Sequence, residues 1–203
     1  TVSTTTMLSV ATTPPPVNRL DDSFNIADLI PSVVFLYSDE CEGSGSGTVV
    51  GDGGLVLTNA HVVTVGNSPC DPDVWFIDSD EDKICDYGQD GSSFLSRRPD
   101  AVGSVTEIDD DLDLAVLQLH DPSTLRPLNA GSMGHPPLEP WTAKPEPAEP
   151  LTVLGWPGTG GCTITFTQGI YSGMELDYRF PFYKTDATVN HGNSGGAAFD
   201  SAG

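Results

Sequence analysis

Two sets of short apolar runs, parted by a proline-rich stretch, limit what this chain can fold into. The first set is Val33 to Tyr37, Thr48 to Val50, Leu55 to Thr58, Val74 to Ile77, Val102 to Ile108 and Leu112 to Leu119. The second is Leu151 to Leu154, Thr163 to Phe166, Ile170 to Met174, Phe180 to Asp186 and Ala197 to Phe199. Gly, Asp, Asn and Pro break the runs apart, the pattern of strands closed by turns. Helical periodicity is scarcely present, which argues against α/β alternation and helical bundles. Residues 120–150 hold many of the prolines, among them Pro136, Pro137, Pro145, Pro147 and Pro150, and read as a linker crossing the surface. The prediction is an all-β chain with one small barrel or sandwich in 21–119 and a second in 151–203.

The amino-terminal end has a different texture. Residues 1–20 are rich in Thr, Ser and Pro and carry almost no charge, so they predict a disordered tether that buries too little to fold. Within 21–30, Phe24, Ile26, Leu29 and Ile30 fall near one face of a short helix, with Asp21 to Ser23 offering caps and Pro31 as the stop.

Charge removes whole classes of partner. Eight Lys and Arg against 29 Asp and Glu give a net charge of −21. Nucleic acid and anionic membrane surfaces need a basic patch that this composition lacks. Four cysteines, an even set, suit an exported protein with two disulfides, for which three connectivities exist. No apolar run reaches the length of a membrane-spanning helix. The chain begins at Thr1 and not at Met, so a leader or membrane anchor is expected upstream. The turn Asp78 to Asp82 alternates carboxylates as calcium sites do, at Asp78, Asp80 and Asp82, although charge runs of this kind are ordinarily solvated faces. No Cys/His spacing suggests zinc, so no other metal or cofactor is expected.

The residues that carry chemistry lie near the carboxyl end. Serine-based amide hydrolysis needs a nucleophilic hydroxyl, a base to take its proton and donors facing the developing oxyanion. Gly192-Asn193-Ser194-Gly195-Gly196 supplies the hydroxyl of Ser194, and its glycines let the backbone bend so that the Gly192 and Ser194 amides bear on one oxygen. The same run fits the nucleophile elbow of another hydrolase class, in which the acid and histidine follow the serine. Nine residues follow Ser194 and none is His, so the base is sought upstream. His61 ends an apolar strand where a turn begins, as a base facing a cleft does. His120 and His135 are expected to be solvated, and His191 to line the cleft. Asp113 interrupts the apolar run Leu112 to Leu119, where a buried carboxylate is costly unless something hydrogen-bonds to it. His61 would supply that partner, giving the order His, Asp, Ser.

Four blocks then resemble the HtrA/Deg serine proteases: Gly45-Ser-Gly-Thr, Leu57-Thr-Asn-Ala-His-Val-Val63, Asp113-Leu-Ala-Val-Leu117 and Asp186-Ala-Thr-Val-Asn-His-Gly-Asn-Ser-Gly-Gly196. Pro31-Ser-Val-Val34 and Leu154-Gly-Trp-Pro-Gly158 are similar to the openings of that family's two barrels. The resemblance implies a chymotrypsin-like pair of perpendicular six-stranded β-barrels with the site in the cleft between them. It implies His61 as base, Asp113 as its orienter and Ser194 as nucleophile, with the Gly192 and Ser194 amides as oxyanion hole. It implies Thr188 near the base of the S1 pocket, disfavouring Arg or Lys at P1. Asn193 stands where zymogen-activated relatives carry aspartate, so activation through an N-terminal ion pair is not expected. Two further strands follow this segment in the family, so the second barrel is expected to be incomplete at Gly203.

The family works on polypeptides in bacterial or organellar protein quality control outside the cytosol, and often forms trimers with C-terminal PDZ domains. These too are expectations. The alternative is a catalytically silent peptide-binding or chaperone-like module of the same fold, which loss of a triad residue would signal. None is lost. Residues 70–85 look like an insertion on the first barrel, so a hairpin bridge Cys70–Cys85 is expected. That pairs Cys41 with Cys162, whose loops border the primed side of the cleft in the family's fold.

Overall fold

The computed structural model describes residues 25–66, 68–89, 92–140, 143–158, 161–176 and 182–200. The proposed tether, residues 1–20, and the caps Asp21 to Ser23 lie outside these. The described chain opens with a short 3-10 helix, Ile26–Ser32, whose cap is Asn25: its side-chain oxygen accepts the Ala27 N–H at 3.1 Å. Pro31 does not stop this helix but sits inside it. The Asp28 N–H donates to the Asn25 carbonyl and the Val33 N–H to the Ile30 carbonyl, so the turns on either side of Pro31 are bonded without the N–H that proline lacks.

Fourteen strands follow among the described residues. The first barrel contains β1 (Val33–Ser38), β2 (Gly43–Val50) and β3 (Leu55–Thr58). A small ribbon of β4 (Thr64–Val65) and β5 (Ser68–Pro69) leads to β6 (Asp73–Trp75). A second ribbon, β7 (Cys85–Tyr87) and β8 (Ser93–Leu95), precedes β9 (Ala101–Asp109) and β10 (Leu114–His120). Six of these close a barrel in the order β1-β2-β3-β10-β9-β6. The second unit has β11 (Pro150–Gly155), β12 (Thr165–Glu175), β13 (Phe182–Thr185) and β14 (Ala197–Phe199), paired in the order β13-β12-β11-β14. The chain is thus all-β, a closed six-stranded barrel beside a curled half-barrel. The expected strands Thr163 to Phe166 and Ile170 to Met174 are one continuous strand, β12, because Gly169 does not turn the chain but lies opposite Leu151 in the β11–β12 ladder. A Cβ at 169 would run into the backbone of Ala187, so glycine serves close approach there.

The period of two explains why β1 reads as an unbroken apolar run. Val34 and Leu36 point into the first barrel, where they meet Val49, Val56, Val74, Leu117 and Leu119. Val33 and Phe35 point the other way, into a second cluster with Trp75, Ile77, Leu154, Trp156, Ile164 and Phe199. The segment 74–77 divides likewise, Val74 and Phe76 inward, Trp75 and Ile77 outward. The second cluster draws on both barrels, and Phe35 makes ring contacts with Trp75 and Trp156 at 5.6 Å each.

The disulfides differ from the expected pairing: they join Cys41 to Cys70 and Cys85 to Cys162. Residues 70–85 do not form one hairpin. The strand β6 is a barrel strand paired with β1 and β9, whereas Cys85 opens the separate β7–β8 ribbon. The register Tyr37↔Asp73 sets the end of β1 beside the start of β6, bringing Cys41 within 6.0 Å of Cys70 between Cα atoms. Cys85 meets Cys162 at 5.0 Å, and the neighbouring Ile84 N–H donates to the Cys162 carbonyl at 3.0 Å.

His135 is buried, not solvated, at 5% exposure. Its ring stacks on Phe76 at 4.5 Å, and its Nδ1 lies 3.1 Å from the Pro31 carbonyl oxygen. It ties the segment between the barrels to the opening helix. His120 closes β10 and is half-buried, with its Nδ1 shielded from solvent. In the acidic turn, the Asp82 carboxylate accepts the Asp78 and Ser79 amides, so the turn is held by its own backbone. Among the described residues, no group of three or more His, Cys, Asp or Glu is arranged to hold a metal ion.

Candidate active site

The cleft edge is built from three turns. Asn59 leads into a single 3-10 turn, Ala60–Val62, that presents His61 to solvent. Asp113 comes from the turn between β9 and β10, one residue before β10 starts, and not from within a buried strand as expected. It adopts a left-handed backbone, φ 53°, which Asp tolerates better than most residues. Its carboxylate is 44% exposed and is stabilised by hydrogen bonds in place of deep burial. Oδ1 accepts the His61 backbone N–H at 2.9 Å, and Oδ2 lies 2.7 Å from His61 Nδ1.

A carboxylate can only accept, so Nδ1 carries the ring proton and Nε2 has a free lone pair. That lone pair faces the Ser194 hydroxyl, whose Oγ is 2.9 Å from Nε2. The sequence-predicted His61, Asp113 and Ser194 therefore form one chain of hydrogen bonds. His191 and Thr188, three and six residues before Ser194, are both exposed.

The backbone around Ser194 is held peptide by peptide. The His191 carbonyl accepts from Gly158 N at 2.9 Å and the Asn193 carbonyl from Gly196 N at 2.8 Å. The Gly192 carbonyl accepts from Ser46 Oγ at 2.7 Å, and the Ser194 carbonyl from Ser46 N at 2.8 Å. A trans peptide points its N–H opposite to its C=O. The fixed carbonyls of His191 and Asn193 therefore aim the amides of Gly192 and Ser194 away from Gly158 and Gly196. Among the described residues, neither amide donates to a protein acceptor, whereas the two alternate amides are engaged: Asn193 N with Asn190 O at 3.1 Å, Gly195 N with Asn59 Oδ1 at 2.7 Å. Two free donors beside a serine hydroxyl are the arrangement an oxyanion needs. The turn demands glycine at two places. Gly192 has φ 100° and a Cβ there would strike the Trp156 carbonyl; Gly195 has φ 80° and would strike the Ser46 carbonyl.

Two participants were not singled out from sequence. Asn59 accepts from Gly195 N and donates through Nδ2 to the Asp113 carbonyl at 2.8 Å, so one side chain spans the Asp113 and Ser194 turns. Ser46 is fully buried and holds two carbonyls of the nucleophile turn. Both lie in blocks that carried the family resemblance, which was the available signal.

Residues 45–203 match the family model described as the trypsin-like peptidase domain. The chain belongs to the trypsin-like peptidase family. Within it, this peptidase is of HtrA/Deg type. The serine endoprotease DegS of Escherichia coli strain K12 is 32% identical over 200 residues, covering 89% of this chain and 46% of that protein. The human serine protease HTRA3 is 29% identical over 161 residues, covering 75% of this chain and 30% of that protein. A solved serine endoprotease from Yersinia pestis superposes with a TM-score of 0.57 at 29% identity, covering 87% of this chain and 52% of that one. The trypsin-like chain thus spans less than half the length of these curated relatives.

Proposed function

We propose that the protein is a serine endopeptidase that cleaves polypeptides through an acyl-enzyme, with Ser194 as nucleophile, His61 as general base and Asp113 as its orienting carboxylate. Nε2 of His61 takes the Ser194 proton as Oγ adds to the scissile carbonyl, and the imidazolium is stabilised by Asp113. The amides of Gly192 and Ser194 receive the oxyanion. His61 then returns the proton to the leaving amine, and water enters to release the acid by the reverse proton path. The observation that carries this reading is the unbroken run of hydrogen bonds, 2.9 Å from Ser194 to His61 and 2.7 Å from His61 to Asp113.

We assign Thr188 to the S1 pocket, where a small neutral side chain favours small or medium apolar P1 groups over Arg or Lys. Two disulfides support action in an oxidising compartment, outside the cytosol, in protein quality control or processing. Trimer formation and a downstream PDZ domain belong to the same proposal. Among the described residues, no helix is long and apolar enough to cross a membrane. A fluorophosphonate probe tests the central claim. Covalent labelling of the full-length protein, abolished by Ser194→Ala, is expected; an unlabelled wild-type protein at neutral pH overturns it.

A further inference from the structure

We infer that Ser46 is a positioning residue for the oxyanion hole, acting from the first barrel on a loop of the second. The inference rests on the triad reading above and deepens it.

Ser46 lies in β2 with no exposed surface, and all of its polar atoms are committed. Its N–H donates to the Ser194 carbonyl at 2.8 Å, and its carbonyl accepts from Thr58 Oγ1 at 2.7 Å. Its hydroxyl does two things at once, donating to the Gly192 carbonyl at 2.7 Å and accepting the Trp156 N–H at 2.9 Å. The four carbonyls from His191 to Ser194 are held by Gly158 N, Ser46 Oγ, Gly196 N and Ser46 N. Only one of these donors is a side chain, so only Ser46 Oγ can be deleted without altering the backbone.

The second contact extends its reach. Trp156, Pro157 and Gly158 form a strap along the nucleophile turn. Proline has no N–H, so the strap offers two amides, and both are spent on this site. Trp156 N is fixed on Ser46 Oγ, while Gly158 N fixes the His191 carbonyl and thereby the direction of the Gly192 amide. The hydroxyl of Ser46 thus governs one peptide directly and the neighbouring one through the strap. Without it, the Gly192 carbonyl and the Trp156 amide are two buried groups lacking partners, and the turn relaxes to find new ones. Donor direction matters most in the transition state, so the loss falls on the chemical step and not on binding.

The test compares Ser46→Ala with Thr48→Val in the full-length protein. Thr48 lies on the same strand, and its Oγ1 donates to the Gly195 carbonyl at 3.1 Å, outside the four peptides just described. Each variant loses one buried or part-buried hydroxyl bond to a carbonyl of the same loop. The readouts are kinact and KI for fluorophosphonate labelling, with thermal melts to set a temperature at which every variant is folded. Ser46→Ala is expected to lower kinact about 10- to 100-fold with KI nearly constant, whereas Thr48→Val stays within about 3-fold of wild type. Ser46→Cys, a weaker donor of similar shape, falls between them and serves as the readout if Ser46→Ala does not fold. Equal kinact for the Ser46 and Thr48 variants, or a loss confined to KI, overturns the inference. Persistent labelling of Ser194→Ala shows instead that the triad reading itself has failed.

Discussion

The side-chain oxygen of Asn59 accepts the backbone N–H of Gly195 at 2.7 Å. Through its amide nitrogen the same side chain reaches the Asp113 carbonyl. His61, two residues after Asn59, is therefore bracketed by a single amide that sets the spacing of the Asp113 and Ser194 turns. Asn59→Ala leaves the Gly195 N–H without its acceptor and the Asp113 carbonyl with the Ala60 N–H alone, and is expected to cost about 1–3 kcal/mol of stability. It should also lower kcat, since it loosens both turns together. Chemical denaturation and turnover of an unfolded, dye-labelled polypeptide measure the two effects.

Asp113→Asn tests the tautomer argument. An amide can present its N–H to His61 and so stabilise the ring with its proton on Nε2, which removes the lone pair facing Ser194. The expected loss is about 10⁴-fold in kcat with KM little changed. A variant within 10-fold of wild type is incompatible with Asp113 as orienter.

Peptide mapping without reductant is expected to find Cys41 linked to Cys70 and Cys85 linked to Cys162. The second bridge spans 77 residues of sequence, so its removal releases a large loop in the unfolded chain. The double variant Cys85→Ser, Cys162→Ser should lose about 2–4 kcal/mol, more than a ribbon anchored by hydrogen bonds alone would account for. Thermal melts of the oxidised wild type and the variant measure the difference.

Acid should weaken the turn after β10 in a defined window. The Asp121 carboxylate accepts from the Ser123 hydroxyl and from the amide and hydroxyl of Thr124, and these bonds hold its pKa at about 2, below the ordinary 3.8. A carboxylate with a depressed folded-state pKa contributes stability above its unfolded value and loses it as pH falls through the folded one. The stability gap between wild type and Asp121→Ala is therefore expected to be constant above pH 3.8 and to close between 3.8 and about 2. Denaturant melts at several pH values follow it.

Much of this architecture could be read from residue pattern, and the exceptions have physical causes. Leu55 to Thr58 and Ala197 to Phe199 match their strands residue for residue, because alternation and turn-formers bound them on both sides. His61, Asp113 and Ser194 were picked out by type and order, and the fold sets them within hydrogen-bond distance of one another. Asp113 was nevertheless expected inside a strand, since its left-handed turn leaves no trace in an apolar run. The disulfides were mispaired because connectivity follows from the register of β1 against β6, a contact across the barrel that local spacing does not encode. His135 looked like one more polar residue in a proline-rich stretch. Its burial comes from Phe76, 59 positions earlier, stacking on its ring. Ser46 and Asn59 carry ordinary side chains in glycine- and apolar-rich blocks, and their importance lies wholly in what the fold sets opposite them.

The apolar cluster shared by the two barrels bears on how the cleft can behave. Phe35 and Trp75 of the first barrel are sealed by Trp156 and Leu154 of the second, so the closed barrel, though packed inside, depends on its neighbour to cover its outer aromatic face. Expressed alone, the first barrel would offer water a face of two aromatic rings and several branched aliphatics, and would be prone to self-association. The groove holding Ser194 is accordingly a seam in one continuous solid, and prying it open means exposing that solid's middle. Adjustment at the groove falls to the loops at its rim, while the spacing of His61, Asp113 and Ser194 underneath is set by the act of folding itself.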